Sequence, residues 1–178
     1  MRPEPFPSHS YLLCFTKKIP NLPDQIKSMA LLENQLKIKK SILPGAGKGI
    51  FTAIDIPAKA IIVEYRGKLV KWKDVKDEDG YNPYIFKISS RWAVDALHDK
   101  DVIGRYANDA RGFARAEGMR NNCEYIVKGK KVYIASTRKI HKGSEIYVDY
   151  GRSFWSLLSR LMKLPDYEKR CRQVKKRF

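Results

Sequence analysis

The sequence predicts a mainly β domain of several small sheets, followed by a C-terminal helix. Two observations carry the prediction. From position 36 onward, short runs rich in β-branched and aromatic residues recur, each bounded by Gly, Pro, Asp or Lys-rich turns. Clear helical periodicity is confined to one stretch near the end of the chain. The 178 residues suit one domain with short extensions, large enough to bury a core without staples.

Residues 1–32 read as an irregular N-terminal extension, broken by Pro3, Pro5, Pro7, Pro20 and Pro23, with one short strand expected at 11–15. Strands are then expected at 36–42, 49–54, 60–65, 84–88, 92–95, 124–127, 132–136 and 145–150. The stretch Val127-Lys-Gly-Lys-Lys-Val132 reads as a hairpin turn. At 153–164, Phe154, Leu157, Leu158, Leu161 and Met162 fall on one helical stripe, with Ser153 as N-cap and Pro165 as terminator. A second, basic helix is expected at 166–177. Internal repeats and low-complexity segments are absent.

The formal net charge is +17, and residues 152–178 are the most basic part for their length, with nine cations against two anions. Two readings stand side by side: attraction to nucleic acid or another polyanion, and a solvated, solubilising face. Cys14, Cys123 and Cys171 are an odd, dispersed set, a poor disulfide framework and a poor zinc site, so a reducing compartment and no metal are expected. His9, His98 and His141 lack ligand spacing. No leader-like apolar run opens the chain and no run of about 20 apolar residues occurs, so a soluble, intracellular protein without membrane partners is expected.

The turn Gly45-Ala-Gly-Lys-Gly49 fits neither common nucleotide motif. A phosphate loop needs Ser or Thr after its lysine, and a dinucleotide fingerprint needs a helix after its glycines, whereas Ile50-Phe51 continues as strand. Two roles remain open, a tight β-turn and close backbone approach to a ligand.

Four segments in order carry a resemblance: Gly45-Ala-Gly-Lys-Gly-Ile-Phe51, Val63-Glu-Tyr-Arg-Gly67, Ile103-Gly-Arg-Tyr-Ala-Asn108 with Asn121-Asn-Cys-Glu-Tyr125, and Ile140-His-Lys-Gly-Ser-Glu-Ile-Tyr-Val-Asp-Tyr-Gly151. Together they resemble the SET-domain protein lysine methyltransferases, over about residues 33–151. The resemblance implies a knot-like core among the small sheets, S-adenosylmethionine as methyl donor, and a catalytic domain at 33–151. Residues 152–178 would then form a basic helical segment closing the site.

The same resemblance implies roles residue by residue. Tyr150 matches the tyrosine at the methyl-transfer site, and Tyr65 and Tyr125 match walls of the lysine channel. Tyr125, with Val148 at a position that controls product degree in some relatives, points to monomethylation or dimethylation. Ala46, Gly47, Lys48 and Gly49 match the turn along the cofactor's methionine part. Arg105, Asn108 and Asp109 match the cofactor-contacting segment, Tyr84 resembles a residue at the cofactor's edge, and Trp155 stands where an aromatic covers the adenine or packs a helix.

Three departures stand out. Asp109-Ala-Arg111 replaces the family's His-Ser-Cys; the segment 111–120 is inserted, bringing Arg111, Arg115 and Arg120 beside the expected site; and the cysteine-rich zinc segment after the catalytic motif is absent. The inserted arginines read either as recognition of an acidic or phosphorylated partner or as a solvated loop. The resemblance implies a protein substrate with an exposed lysine, a histone tail foremost, in the nucleus of a eukaryote or otherwise the cytoplasm or nucleoid. Nucleic acid or nucleosome contact through the basic surface would accompany it. The alternative is a non-catalytic chromatin- or nucleic-acid-binding module that keeps the fold; a small-molecule amine substrate ranks below both.

Overall fold

The computed structural model describes residues 31–113 and 116–176. The strand expected at 11–15, together with Cys14, His9 and Arg115, lies outside the described residues. In chain order the described elements begin with β1 (Leu36–Lys40), β2 (Lys48–Thr52), β3 (Ile61–Glu64), β4 (Lys68–Lys71) and α1 (Trp72–Val75). They continue with β5 (Ile85–Lys87), β6 (Trp92–Asp95), β7 (Cys123–Lys128), β8 (Lys131–Ser136) and β9 (Glu145–Ile146), and end with α2 (Arg152–Leu161) and α3 (Tyr167–Lys175).

The strands form three small antiparallel sheets, ordered β1-β2-β9, β3-β8-β7 and β4-β6-β5. β3 opens with the apolar run Ile61-Ile62-Val63, whose two faces are covered, and ends at the half-buried Glu64; Ile62 and Val63 are fully buried, as are Ile50, Ile134, Ile146 and Val148. These residues make one core where the first two sheets meet, with Tyr106, Tyr125 and Tyr150 at its margin. The β7–β8 hairpin turns at Gly129, whose φ of 59° suits a II′ turn at its first central position.

The segment after β9 takes a special path. Only Glu145 and Ile146 pair as a ladder, with β2 at Phe51 and Ile50. Tyr147 and Val148 instead form single parallel bridges, to Asn108 and to Cys123 respectively. Val148 N donates to Asn108 O, while Asn122 N and Cys123 N donate to Tyr147 O. The last motif is therefore held between the 108 and 122–123 segments, and the strand expected through 150 ends early because its backbone partners change there.

Two other expectations shift. β4 and α1 carry little sequence signal, only Leu69 and Val70 between lysines, and β4 owes its form to pairing with β6. α2 starts at Arg152 and is capped by Gly151, whose φ of 88° permits the sharp exit from the Tyr150 segment; Ser153 lies inside the helix. Met162 leaves the apolar stripe and is 54% exposed. Leu157 and Leu161 pack on the turn at Gly80, where any Cβ would collide with Leu161. α3 docks beside them: Val174 is buried with Tyr81 and Leu97, Tyr167 donates to Gly80 O, and Arg170 donates to the Tyr81 hydroxyl at 2.8 Å. Among the described residues, no helix is long and apolar enough to cross a membrane.

Candidate active site

A cavity of about 430 Å³ opens where the glycine turn, the β5 region and the bridged C-terminal segment meet. It is lined by Ala46, Gly47 and Lys48 of the glycine turn, by Arg105, Tyr106 and Asn108, and by the aromatic side chains of Tyr65, Tyr84, Phe86, Tyr125, Tyr150 and Phe154. The structure thus brings together nine of the residues singled out from sequence. Gly49, Asp109, Val148 and Trp155 stand behind the lining. Tyr106, Phe86 and Phe154 join the lining without a site role expected from the sequence, where nothing separates them from ordinary strand and helix aromatics.

The wall is built from interlocking rings. Tyr65 and Tyr125 meet edge to face at 5.8 Å, and Phe86 lies 4.8 Å from Tyr125. The Tyr65 hydroxyl donates to Tyr84 O at 2.9 Å, and the Tyr150 hydroxyl donates to Ala107 O at 2.5 Å. Burial first, then Asp109 and Tyr84, pushes the Tyr150 phenol well above its ordinary range; burial, then Tyr150, does the same for Tyr65. Both therefore stay neutral at physiological pH.

Arg105 supplies the contrasting charge. Its guanidinium lies 3.9 Å from the centre of the Tyr84 ring, and its Nε and Nη1 are buried without a hydrogen-bond partner. Buried donors left without partners are costly, so the geometry suits a ligand carboxylate arriving at this end of the cavity.

Two buried carboxylates hold the site behind the lining. Glu145 accepts from Ser41 Oγ, Ile42 N, Asn108 Nδ2 and Tyr147 Oη. Asn108 Nδ2 also donates to Lys48 O, so one amide ties the glycine turn to the 105–108 segment. Gly49 has its role here: a Cβ would fall on Glu145 Oε1, so the missing side chain admits this carboxylate. Gly45 and Gly47, with φ of 72° and 73°, provide the tight turn itself.

Asp109 is the second such hub. Oδ1 accepts from Arg111 N and Asn121 Nδ2, and Oδ2 accepts from Tyr150 N and Trp155 Nε1 at 2.9 and 2.8 Å. Trp155 stacks on Tyr150 with the ring planes 14° apart, and the exposed Phe113 meets it edge on. Val148 is fully buried in the main core. The 111–120 segment is partly tied down: Arg111 pairs with Asp149, and Ala116 and Met119 pack near Leu43 and Tyr147. Among the described residues no group of three or more His, Cys, Asp or Glu is placed to hold a metal.

Three small sheets around a doubly bridged C-terminal segment, with a tyrosine-walled cavity at the bridge, define a SET-type architecture. The chain belongs to the SET domain family, whose model matches residues 47–151. It is 26% identical over 123 residues to the N-lysine methyltransferase KMT5A-A of Danio rerio, covering 61% of this chain and 33% of that protein. It is 28% identical over 141 residues to the histone-lysine N-methyltransferase EHMT1 of Homo sapiens, covering 71% and 10%. With the histone-lysine N-methyltransferase set-1 of Caenorhabditis elegans it shares 24% identity over 129 residues, covering 67% and 51%. The matches span from a tenth to half of these relatives' lengths.

Proposed function

We propose that the chain is a protein-lysine N-methyltransferase that uses S-adenosylmethionine and needs no metal. One observation carries the reading: a tyrosine-walled cavity lined by Arg105, whose Nε and Nη1 are buried without a hydrogen-bond partner. The orphaned Arg105 donors fit the cofactor's carboxylate, with Ala46, Gly47, Lys48 and Asn108 beside it and Tyr84 and Phe154 toward the adenosine. When bound, the cofactor supplies an electrophilic methyl group on a sulfonium. Residues 33–151 form the catalytic unit, and 152–178 close it through Phe154.

The chain's own groups prepare the nucleophile. Tyr65, Phe86 and Tyr125 strip water from the substrate lysine's stem, which lowers its pKa from about 10.4 by disfavouring the ammonium. The Tyr150 proton is committed to Ala107 O, leaving the phenol oxygen free to accept an N–H from the arriving amine and fix its approach. A phenol held neutral is no base, so the lysine proton leaves to water. The Tyr125 hydroxyl occupies room that added methyls need, favouring monomethylation, with dimethylation next. The relatives named as acting on histones support a histone tail as substrate, with another basic, nucleic-acid-associated protein second, and with the nucleus as compartment.

The test is incubation with methyl-labelled S-adenosylmethionine and mixed core histones, read by intact mass. The parent adds single methyl increments. Tyr150→Phe loses about 10²-fold or more in turnover while its cofactor affinity stays within a few-fold. Turnover of the parent rises with pH as the lysine loses its proton and shows no limb from Tyr150. Unchanged turnover in Tyr150→Phe overturns the assignment of that residue. Absence of saturable cofactor binding by the parent favours the non-catalytic binding module, whose one supporting observation is the basic surface.

A further inference from the structure

A second concavity, about 840 Å³ and open to solvent, runs along β1 to the mouth of the cavity, with which it shares Gly47, Lys48 and Tyr106. Its cations are Lys39, Lys40, Lys48 and Lys100, and its one carboxylate is Asp101. Among the described residues none of these four lysines joins an ion pair. Between Glu33 and Asp55 the chain carries Lys37, Lys39, Lys40 and Lys48 and no acid at all.

The placement works against folding stability. Lys40 and Lys48 are directly opposed across the β1–β2 pair, an arrangement of like charges that destabilises a sheet. Lysines on an outer strand also guard against edge-to-edge pairing, and that accounts for Lys37, Lys39 and Lys40. It does not account for Lys48 on the inner strand. Nor does it account for Lys100, which comes from a distant loop held here by the Tyr106 hydroxyl donating to Lys100 O at 2.8 Å.

We propose that this groove binds the phosphodiester backbone of nucleic acid. The three residues of β1 that line the groove, Ile38, Lys39 and Lys40, extend about 10 Å, which spans about three base steps of one strand. The cations are lysine point charges from β1, β2 and the 100 loop rather than arginine forks, suited to a polyanion of spaced phosphates and not to one planar carboxylate. Lys39 and Lys48 lie over the Phe51 and Tyr106 rings, as Arg170 lies over Tyr81 on α3, but the groove lysines join no ion pair among the described residues, whereas Arg172 of α3 pairs with Glu168. Binding here is independent of methyl transfer and is measured without cofactor.

The experiment is fluorescence anisotropy of the full chain with a labelled DNA duplex of about 20 base pairs, titrated from about 50 to about 200 mM salt. The test variant is Lys39→Glu/Lys40→Glu/Lys100→Glu; Lys48 is left intact because it lines the cavity. The parent's affinity is expected to fall linearly in log–log form with salt. The variant is expected to bind at least about tenfold more weakly, with a salt slope shallower by about 3. Lys169→Glu/Arg172→Glu/Lys175→Glu, which removes equal charge from α3, is expected to lose less. Parental affinity in the groove variant, or an equal loss in the helix variant, overturns the proposal. Equal competition by polyglutamate of matched charge also overturns it, in favour of an acidic protein partner. Should the glutamate variant unfold by circular dichroism, the corresponding triple alanine variant gives the same readings.

Discussion

Asp109 shows how one substitution in a motif is absorbed by its surroundings. A carboxylate offers only acceptors, and here each oxygen receives two N–H groups, from four separate points of the chain. Two of those points, Tyr150 N and Trp155 Nε1, flank the proposed reaction site. An imidazole has at most one acceptor nitrogen, so the residue usual in the family would leave donors unpaired in this environment. Asp109→Asn turns one oxygen into a donor facing donors, and Asp109→His fares no better. Both are expected to lose about 3 kcal/mol in denaturant melts and to shift Trp155 fluorescence, and restoring the family residue rescues nothing. Full stability in Asp109→His would show that the four bonds do not act together. The sequence made Asp109 visible as a departure and left its role hidden, because its partners lie up to 46 positions away. Glu145 was hidden in the same way inside a motif whose tyrosine drew attention.

At the scale of elements, legibility followed the local signal. β3, β7 and β8 were readable because branched and aromatic runs persist where both sides or one side is covered, and the Gly129 turn carries its own chemistry. β4 was not, since two apolar residues between lysines become strand only beside β6. The α2 stripe was legible, but its two aromatic neighbours divide the work in a way spacing does not reveal. Phe154 lines the cavity and meets the Tyr150 ring at 5.2 Å, whereas Trp155 lies behind, bonded to Asp109 and pressed against Gly112. Phe154→Ala is therefore expected to weaken cofactor binding about tenfold in calorimetry with little change in melting temperature. Trp155→Ala is expected to lower the melting temperature first, as it unpairs Asp109 and leaves a hole against Gly112. The reverse pattern would make Trp155 the adenine platform that the family resemblance implies.

Across the whole molecule, the aromatic site and the cationic surface respond oppositely to alkali. Burial raises the Tyr65 and Tyr150 phenols and the Cys123 thiol above their ordinary values, and burial with the Glu145 contact raises Tyr147. In the folded chain these groups keep protons that the unfolded chain releases from about pH 9 for the thiol and pH 10 for the phenols. The unfolded state then binds fewer protons, so stability, fully present below about pH 9, falls as pH rises, by up to about 1.4 kcal/mol per pH unit for each group. Over the same range the lysines behind the net charge of +17 begin to neutralise, which relieves self-repulsion and opposes the loss. The net slope of the parent alone mixes the two effects. Comparing the parent with Tyr150→Phe separates them, because the lysines are common to both. The difference in unfolding free energy is expected to be constant to about pH 9 and to move steadily in favour of Tyr150→Phe above about pH 10. A flat difference through pH 11 would mean that the Tyr150 hydroxyl meets solvent freely, and the desolvated amine-binding site proposed around it would lose its physical basis.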